Sequence, residues 1–536
     1  MSESDSQRTS SPLLIWLLLL VLGSGVVFLR RESEPEEKPS DVAVQADPSS
    51  SSDVVARGRM VAQRLCASCH VYPDPAIASR YDWAFSILPG KAVWLGLKPF
   101  DHQQYPGGHR VKEAGVFPAH GVLSRDDWQA LASYYLSEAP VELSAPLEIE
   151  TPSNREWFKG SAISYSRPAD IGALSIDARA KIMFVGNAAD GGFDILDAGG
   201  NLLASQMFGR PVMSVAMTDS SLYLATIGST VPNDDPAGQV LHMTKPGAAS
   251  PIRRTLGGDL QRPSHLAIGD LNADGIDDAV IGERGNHLGR VSALISSGAN
   301  GYELSVLLDW AGAVESRIAD LNQDGRADIV VMMGSGRQAI HRFLQAEDQT
   351  FELGDVATMP PTWKYSCFEL ADVNGDGAVD IVAGNGALEP DDRPLSGPMT
   401  YHGIHFHLND GKGDFARSGF IPAPGVRELV AGDFDNNQTI DLAVIRDPIP
   451  DGSRMAPNLV MYRNGGEMSF EAVPIAGSGR APWSTMALGD LDGDGDLDLL
   501  AGASSRLLKH SRQRSVWERE RVALMVFENQ TTTTSR

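Results

Sequence analysis

The stretch Asp490-Leu-Asp-Gly-Asp-Gly-Asp-Leu-Asp498 recurs along the second half of the chain. Four further copies begin at Asp270, Asp320, Asp372 and Asp433, and the first residues of successive copies lie 50, 52, 61 and 57 residues apart. A near-regular period of this length is typical of a repeat architecture, in which each repeat is one supersecondary unit. The sequence therefore predicts repeated structural units over this part of the chain.

Each copy carries oxygen-bearing side chains at its first, third, fifth and ninth positions, and four copies have glycine at the sixth, where the fourth copy has Gln438. Alternate oxygens on a tight loop converge on one point, and clustered carboxylates repel one another unless a hard cation neutralises them. Oxygen-only ligands suit calcium. One copy alone could be a solvated acidic turn, but five copies in register predict up to five calcium sites. The predicted ligands are Asp270, Asn272, Asp274, Asp278, Asp320, Asn322, Asp324, Asp328, Asp372, Asn374, Asp376, Asp380, Asp433, Asp435, Asn437, Asp441, Asp490, Asp492, Asp494 and Asp498.

Short apolar runs flank every acidic loop, as in residues 265–269 before the first loop and 279–282 after it. Two β-rich runs joined by a turn predict a hairpin. Further strands, such as those at 403–408 and 458–462, complete a four-stranded unit of the size of a propeller blade. Two hairpins without ion loops precede the repeats, with strands at 172–176, 181–186, 212–217 and 222–226. The sequence thus predicts an all-β propeller of about seven blades, closed by strands around 522–527.

The acidic loops, together with Asn409-Asp-Gly-Lys-Gly-Asp-Phe415, resemble the FG-GAP or VCBS repeats found in the integrin α-subunit propeller. The resemblance covers residues 263–527. It implies a rigid propeller whose ion loops are structural rather than catalytic, and which serves as a platform for a partner protein or a glycan.

A second signature, Cys66-Ala-Ser-Cys69-His70, lies nearer the N-terminus. C-x-x-C-H is the attachment signature of c-type haem, in which both thiols bind the haem and the histidine ligates the iron. A bare C-x-x-C also occurs in redox pairs and zinc sites, but the appended histidine and the single further cysteine, Cys367, favour haem. The sequence predicts one covalent haem c held by Cys66, Cys69 and His70, with His70 as the proximal iron ligand.

Two helical patterns surround this motif. Residues 54–64 precede it, and residues 124–136 follow with Ser124 as a predicted N-cap and apolar residues at helical spacing. With the CASCH motif, these segments resemble a class I cytochrome c over residues 53–140. The resemblance implies a small all-α domain in which the last helix packs on the first.

The distal haem ligand departs from that resemblance. Class I cytochromes usually supply a methionine, and no methionine lies between His70 and residue 124. His120 is the predicted distal ligand because it lies near the position of the family's methionine segment, and His102, His109 and Lys91 are alternatives. A vacant position would instead permit the binding of small ligands.

Residues 12–29 form an uncharged run of 18 residues, the lower limit for a helix that spans a bilayer. A cleaved signal peptide is the rival interpretation, but no small-x-small site follows the run. Arg30 and Arg31 follow the run, so the positive-inside rule favours a cytoplasmic location for the chain after it. Covalent haem and calcium instead place the bulk of the chain outside the cytoplasm of a bacterium, and the haem chemistry decides the predicted orientation. Acidic residues 32–52, rich in Ser and Pro, are typical of a disordered tether.

The predicted organisation is therefore multidomain. A membrane anchor at 1–31 and a disordered linker at 32–52 precede a cytochrome c-like domain at 53–140, a linker at 141–160 and the propeller at 161–530, with a frayed tail from 531. The net charge of −24 argues against nucleic acid as a partner. Cys367 is interpreted as a buried residue of a strand. His402, His405 and His407 admit a metal or second-haem contact, although packing is the favoured interpretation.

These observations predict a membrane-tethered, exported cytochrome that carries single electrons, with a calcium-stabilised propeller as the platform for a redox partner protein or a glycan. No motif nominates a nucleophile or a general base. One alternative is a haem-coupled oxidoreductase whose substrate site lies in the propeller, and another is an adhesion or sensor protein. Quinoprotein dehydrogenases combine the same two modules, but their propellers carry Trp-rich motifs. Convergent His, Arg and Asp side chains on the central face of the propeller would favour the enzyme.

Overall fold

The computed structural model describes most of the chain between Ser51 and Thr531. Outside the described part lie residues 1–50, 69, 145–156, 247–252, 299–300, 389–399, 449, 452–453, 456, 509–513, 515–516, 519–520 and 532–536. The predicted anchor, nearly all of the predicted tether, most of the 141–160 linker and most of the tail therefore fall outside it. Within the described residues, no helix is long and apolar enough to cross a membrane.

Helices occupy the described part of residues 51–144. They are α1 (Ser52–Leu65), α2 (Arg80–Asp82), α3 (Leu88–Lys91), α4 (Gly108–Glu113) and α5 (Arg125–Glu138), with 3₁₀ turns at Cys66–Ser68 and Pro75–Ile77 and a π-helical turn at Trp83–Ile87. Helix α5 begins as predicted, because the Ser124 hydroxyl accepts a hydrogen bond from the Asp127 N–H at 3.1 Å. We refer to these residues as the helical region.

Helices α1 and α5 pack directly on each other at Gly58. A Cβ atom added there would lie 2.0 Å from the carbonyl oxygen of Ala130. Only glycine permits so close an approach of two backbones. The helix before the CASCH motif and the last helix of the region are therefore in contact, as the sequence predicts.

Seven four-stranded antiparallel sheets form the blades of a β-propeller, which confirms the predicted fold of this part of the chain. Blades 1 to 3 comprise β2 (Ile171–Asp177), β3 (Ile182–Asn187), β4 (Gly192–Asp197) and β5 (Leu202–Met207); β6 (Val212–Met217), β7 (Ser221–Thr226), β8 (Gly238–Thr244) and β9 (Arg253–Leu260); and β10 (Pro263–Gly269), β11 (Asp278–Glu283), β12 (Val291–Ser296) and β13 (Tyr302–Leu308). Blades 4 and 5 comprise β14 (Ala313–Ala319), β15 (Asp328–Met333), β16 (Gln338–Gln345) and β17 (Phe351–Met359), then β18 (Tyr365–Ala371), β19 (Asp380–Asn385), β20 (Gly403–Asn409) and β21 (Phe415–Pro422). Blade 6 comprises β22 (Val426–Gly432), β23 (Asp441–Arg446), β26 (Leu459–Asn464) and β27 (Phe470–Pro474), with the short hairpin β24 (Pro450–Asp451) and β25 (Arg454–Met455) inserted.

Blade 7 contains strands from both ends of the propeller sequence. Strands β28 (Trp483–Gly489), β29 (Asp498–Ala503) and β30 (Leu524–Asn529) pair with β1 (Phe158–Ile163), which lies at the start of the propeller. The register of β1 on β30 runs from Phe158 opposite Asn529 to Ile163 opposite Leu524. The predicted C-terminal strand does help to close the ring, but β1 supplies the outer strand of the last blade.

The second strand of a blade is the most deeply buried one. In blades 2, 3, 4, 5 and 7 every residue of this strand is buried. Each blade packs between two neighbours, so both faces of its inner strands need apolar side chains, which explains the continuous apolar runs that follow the acidic loops. Clusters of buried residues accordingly join adjacent blades, as Val331 of blade 4 joins Val280 of blade 3.

The five acidic loops join the first and second strands of blades 3 to 7. They therefore share one face of the propeller, which we call the acidic face. Connections between second and third strands lie on the opposite face. The helical region contacts that opposite face, since Asp234, His287 and Tyr401 all lie in such connections. We call it the docking face.

Candidate functional site

The CASCH motif holds His70 in a defined tautomer. The Nδ1–H of His70 donates a hydrogen bond to the carbonyl oxygen of Val71 at 2.8 Å. Burial lowers the pKa of the imidazole, which favours its neutral form. The lone pair then resides on Nε2, the arrangement that a metal-ligating histidine needs. Cys66 is partly buried with the Tyr135 hydroxyl 3.9 Å from its Sγ, while Cys69 lies outside the described residues.

The four candidate distal ligands occupy different environments. His102 is half-buried and donates from Nδ1 to the Gly108 carbonyl at 3.1 Å, whereas His109 and His120 are exposed. Lys91 is also exposed. Burial has the largest effect on the pKa of His70 and lowers it, the hydrogen bond to the Val71 backbone raises it, and the charge of Lys91 lowers it further. Among these four side chains, Lys91 is thus the one whose charge acts on His70.

Large apolar side chains are exposed in the helical region. Tyr81 and Phe85 each retain 64% of their surface, and Trp94 and Val122 retain about half of theirs. The rings of Tyr81 and Phe85 lie 4.8 Å apart. Exposed apolar groups at this density in a short segment indicate that a further apolar group or surface covers them.

In the acidic loops, the ninth position has a clear structural role. Its aspartate begins the second strand and is fully buried in all five loops. One carboxylate oxygen accepts the N–H of the second loop residue, and the other accepts an N–H at the end of the third strand, at 2.6–3.1 Å. The ninth aspartates therefore bind backbone amides in this structure, with both oxygens engaged.

Carboxylate oxygens converge on one point in two of the loops. Ligand oxygens of Asp433, Asp435 and Asp441, and of Asp490, Asp492 and Asp494, lie within 4.8 Å of one another. Arginines offset part of the loop charge: Arg463 pairs with Asp435 at 2.6 Å, and in the loop at 320–328 Arg326 pairs with Asp324.

The backbone conformation at the sixth loop position explains why four of the five loops have glycine there. The sixth residue has φ between 69° and 95° in all five loops, and its N–H donates to the first aspartate at 2.8–3.2 Å. This left-handed conformation favours glycine. Gln438 adopts it with a side chain present, at φ 69°.

The three clustered histidines have packing roles. His402, His405 and His407 are buried, and burial lowers their pKa to about 4, about 3 and about 4, respectively. His405 accepts a hydrogen bond from Arg417 at 3.1 Å and stacks on Phe420. No acidic group or cysteine in the described part of the chain completes a metal site with them. Cys367 is likewise buried within β18, and burial raises the pKa of its thiol.

The helical region is fastened to the docking face by the buried carboxylate of Asp234. This carboxylate accepts hydrogen bonds from the Tyr105 hydroxyl at 2.9 Å and from Nδ1 of His287 at 2.8 Å. Burial would raise its pKa, but these bonds and backbone N–H groups outweigh burial and hold the pKa at about 2. Phe100 and Phe117, whose rings stack 4.4 Å apart, pack against the imidazole of His287. One buried anion and an aromatic cluster thus join the two parts.

A central channel carries ionisable side chains that the sequence did not bring together. Glu315, Arg317 and Glu369 lie on the inner strands β14 and β18, and Arg317 Nη2 lies 2.6 Å from Glu315 and 3.0 Å from Glu369. Nη1 of Arg317 donates to Nε2 of His265 at 2.9 Å. Glu428 of β22 lines the same cavity. The signal in the sequence is a charged residue at the third or fifth position of an otherwise apolar inner strand.

Residues 320–383 and 433–501 match the family model described as FG-GAP-like repeat, and these segments contain four of the five acidic loops. The chain therefore carries FG-GAP-like repeats. No curated protein matches the chain significantly.

Solved structures with a similar fold include the N-terminal domain of Nup159 (10% identity, 72% of this chain and 98% of that chain covered, TM-score 0.41). Streptogramin B lyase (12% identity, 70% and 100%, TM-score 0.44) and U3-55K (11% identity, 69% and 98%, TM-score 0.41) are two others. Likeness at these scores carries no argument about function.

Proposed function

We propose that this protein is an exported c-type cytochrome that carries single electrons, with its FG-GAP-like propeller as the binding platform for a redox partner protein or a glycan. The observation that carries the proposal is the Nδ1–H bond from His70 to Val71, which leaves Nε2 of the CASCH histidine available to iron. Cys66 and Cys69 would hold the haem covalently, and the haem when bound supplies one-electron redox chemistry.

The chain's own residues would prepare this site. The Tyr135 hydroxyl donates to the Pro73 carbonyl at 3.1 Å, and the Tyr135 ring stacks on Trp83 at 3.9 Å, which fixes the segment after the motif against α5. The Asp234 carboxylate then holds the helical region on the propeller. A haem site fixed to the platform in this way would have a constant orientation toward whatever the propeller binds.

The experiment is a visible spectrum of the full chain matured with haem, both oxidised and reduced. We expect haem that resists acid extraction and a sharp reduced α-band unchanged by carbon monoxide. Absence of covalent haem from the wild type would overturn the proposal.

His120 remains our proposed distal ligand, with Lys91 as its rival because its charge acts on His70. His120→Ala should open the reduced iron to carbon monoxide, whereas Gln104→Ala, at an exposed residue that is not a candidate ligand, serves as the control. If His120→Ala keeps the wild-type spectrum and Lys91→Ala changes it, Lys91 takes the role.

We also propose that calcium occupies up to five acidic loops and stiffens the propeller. The convergence of oxygens in the loops at 433–441 and 490–498 supports these two sites most directly. Isothermal titration with calcium should show binding that Asp490→Asn weakens. An unchanged thermal midpoint between chelator and millimolar calcium would contradict a stabilising role.

Membrane tethering by residues 12–29, with the bulk of the chain on the periplasmic side of a bacterium, forms part of the proposal. It is supported by the uncharged run and by the chemistry of haem attachment. Fractionation of cells that express the full chain should place it in the membrane pellet, and protease added to spheroplasts should digest it. Protection from that protease would contradict the orientation.

A second candidate function is a haem-coupled oxidoreductase with its substrate site in the propeller. The observation in its favour is the convergence of His265, Glu315 and Arg317 in the central channel. Reduction of the haem by an added alcohol, sugar or amine would support this function. Oxidised haem that persists through such a panel, but is reduced by a protein donor, would support the electron carrier.

A further inference from the structure

The inner strands build the wall of the channel in a regular way. In every blade the pairing register between the first and second strands shifts at the second residue of the inner strand. The seven residues at these bulges are Gly172, Met213, Ser264, Val314, Ser366, Arg427 and Ser484, and all of them line a cavity of 460 Å³ on the docking side. A second cavity of 570 Å³ continues past them along the same strands.

The second cavity has two unlike halves. The residues at the third position of the inner strands form a ring of Ala173, Ser214, His265, Glu315, Cys367, Glu428 and Thr485. Blades 3 to 6 supply the ionisable members of this ring, and blades 7, 1 and 2 supply the small neutral ones. Free space therefore faces a wall of charged side chains, and 570 Å³ is ample for a small-molecule ligand.

The charged wall has more carboxylates than cations. Two cations line this cavity, Arg317 and Arg427. Glu315, Glu369 and His265 engage the guanidinium of Arg317, and Asp447 engages that of Arg427. The Oε1 atom of Glu428 accepts hydrogen bonds from the Thr485 hydroxyl at 3.3 Å and the Met486 N–H at 3.2 Å. Its other oxygen has no donor among the residues that the structure describes. The wall thus presents a carboxyl oxygen that lacks a donor toward the open half.

The pKa values of these glutamates indicate that the cations of the wall do not fully compensate its carboxyl groups. Burial, together with the neighbouring carboxylate, raises the pKa of Glu428 to about 8, and burial raises the pKa of Glu315 to about 7 despite the Arg317 charge. The groups that face them are Arg317, Glu369, the neutral His265 and the Cys367 thiol. A cation placed beside them would restore their ionised forms.

From this geometry we propose that the central channel is a binding site for a small organic ammonium ion, whose charged group pairs with Glu428 and Glu315 while its body fills the half lined by Ala173, Ser175 and Ser214. A divalent metal fits less well, because the described residues of this wall do not bring three ligand atoms within coordinating distance. A neutral polyol lacks the positive charge that would restore the ionised forms of Glu428 and Glu315.

The two mouths of the channel favour entry from one side. The docking side carries Arg284, Lys364, Arg427 and Arg506 near the opening. The other end of the inner strands leads to the acidic face, whose field attracts cations. We therefore expect the ammonium ion to enter from the acidic face.

The inference does not depend on haem, because no described residue of the helical region lines either cavity. Failure of one proposal leaves the other standing.

The experiment is isothermal titration of the full chain with 1,4-diaminobutane, with 1,4-butanediol as the neutral probe and magnesium as the metal probe. Saturating calcium and 150 mM salt suppress weak binding at the acidic loops. We expect the diamine to bind. The diol and magnesium should not compete with it for the channel. Titrations near pH 7.5 in two buffers with different ionisation enthalpies should show proton release, since the bound cation lowers the pKa of the glutamates.

Glu428→Gln should weaken diamine binding at least tenfold and reduce the proton release, whereas Glu352→Gln on the exposed outer strand of blade 4 should change neither. Ser175→Leu, which fills the neutral half without altering charge, should also weaken binding, so the test survives if one variant fails to fold. Equal affinity of wild type, Glu428→Gln and Ser175→Leu, or equally tight binding of the diol, would overturn the proposal.

Discussion

The side-chain amide of Asn529 donates a hydrogen bond to the carbonyl oxygen of Phe434 at 2.8 Å, across the boundary between blades 7 and 6. Asn409 makes the same bond to Leu321 at 2.8 Å, and Asn464 makes it to Val373 at 3.4 Å. Each donor ends the third strand of its blade, and each acceptor is the second residue of the acidic loop one blade earlier. The N–H of each donor also binds the ninth aspartate of its own blade. Each of these bonds therefore links one blade to the acidic loop of the blade before it, from blade 4 to blade 7.

These links should contribute unequally to stability. Asn409→Ala removes side-chain bonds to Leu321, Val379, Gly411 and Gly413, so we expect it to lower the free energy of unfolding by about 2–3 kcal/mol. Asn529→Ala removes the side-chain bonds to Phe434 and Leu497 and the bond from the Thr531 N–H, but the Thr531 hydroxyl still donates to Phe434. We therefore expect a smaller cost of about 1–2 kcal/mol. Urea unfolding measures both, with exposed Glu352→Ala as the control. A larger loss for Asn529→Ala would contradict this order.

The left-handed sixth loop position gives a test of backbone strain. Gly325 has φ 85°, and a Cβ added there meets no atom within 4 Å, so Gly325→Ala changes only the backbone. We expect a loss of about 1–2 kcal/mol in the free energy of unfolding. Gln438→Gly is the reverse change at φ 69° in the next but one loop, and it should not lower stability. Equal losses from both substitutions would show that the conformation of this position is not the cause.

Local patterns in the sequence predicted the local structure well. The loop spacing and its flanking apolar runs predicted the hairpins and seven blades, and Ser124 marked the start of α5, because each depends on residues close in sequence. The pairing of β1 with β30 was not predicted, since the partners lie at opposite ends of the propeller sequence. Neither were the glutamates of the channel, because single charged residues in separate strands form no motif until the ring closes.

The proposed stabilisation by calcium should depend on pH. Burial raises the pKa of Asp380, Asp441 and Asp498 to about 6 in the calcium-free fold, above the usual value of 3.8. A raised pKa means that the folded protein holds these protons between about pH 4 and 6, so protons compete with calcium there. The rise in thermal midpoint on adding calcium should therefore grow from pH 5 to pH 7. Because the thermal midpoints with calcium and with chelator are compared at the same pH, the titration of groups away from the loops cancels. Asp441→Asn should reduce the increase of the calcium effect between pH 5 and pH 7. A calcium effect that is constant or shrinks over this range would contradict the prediction.

The Asp234 carboxylate should control docking of the helical region. It accepts N–H bonds from Asn286, His287 and Leu288 at 2.8–3.0 Å in addition to the Tyr105 hydroxyl. Asp234→Asn would turn an amide NH₂ toward these donors, so we expect a loss of about 2–3 kcal/mol in the free energy of unfolding.

Hydrogen exchange locates this effect. In Asp234→Asn the amides of residues 102–108 and 286–288 should exchange at least tenfold faster, while those of the distant blade 6 keep their wild-type rates. The neighbouring exposed Asp235→Asn is the matched control and should change neither segment. Because the pKa of Asp234 is held at about 2, against a usual 3.8, its contribution is present above about pH 4 and is lost only as the pH falls toward 2. Protection of these segments that disappears already between pH 6 and 5 would assign the docking to a group other than Asp234.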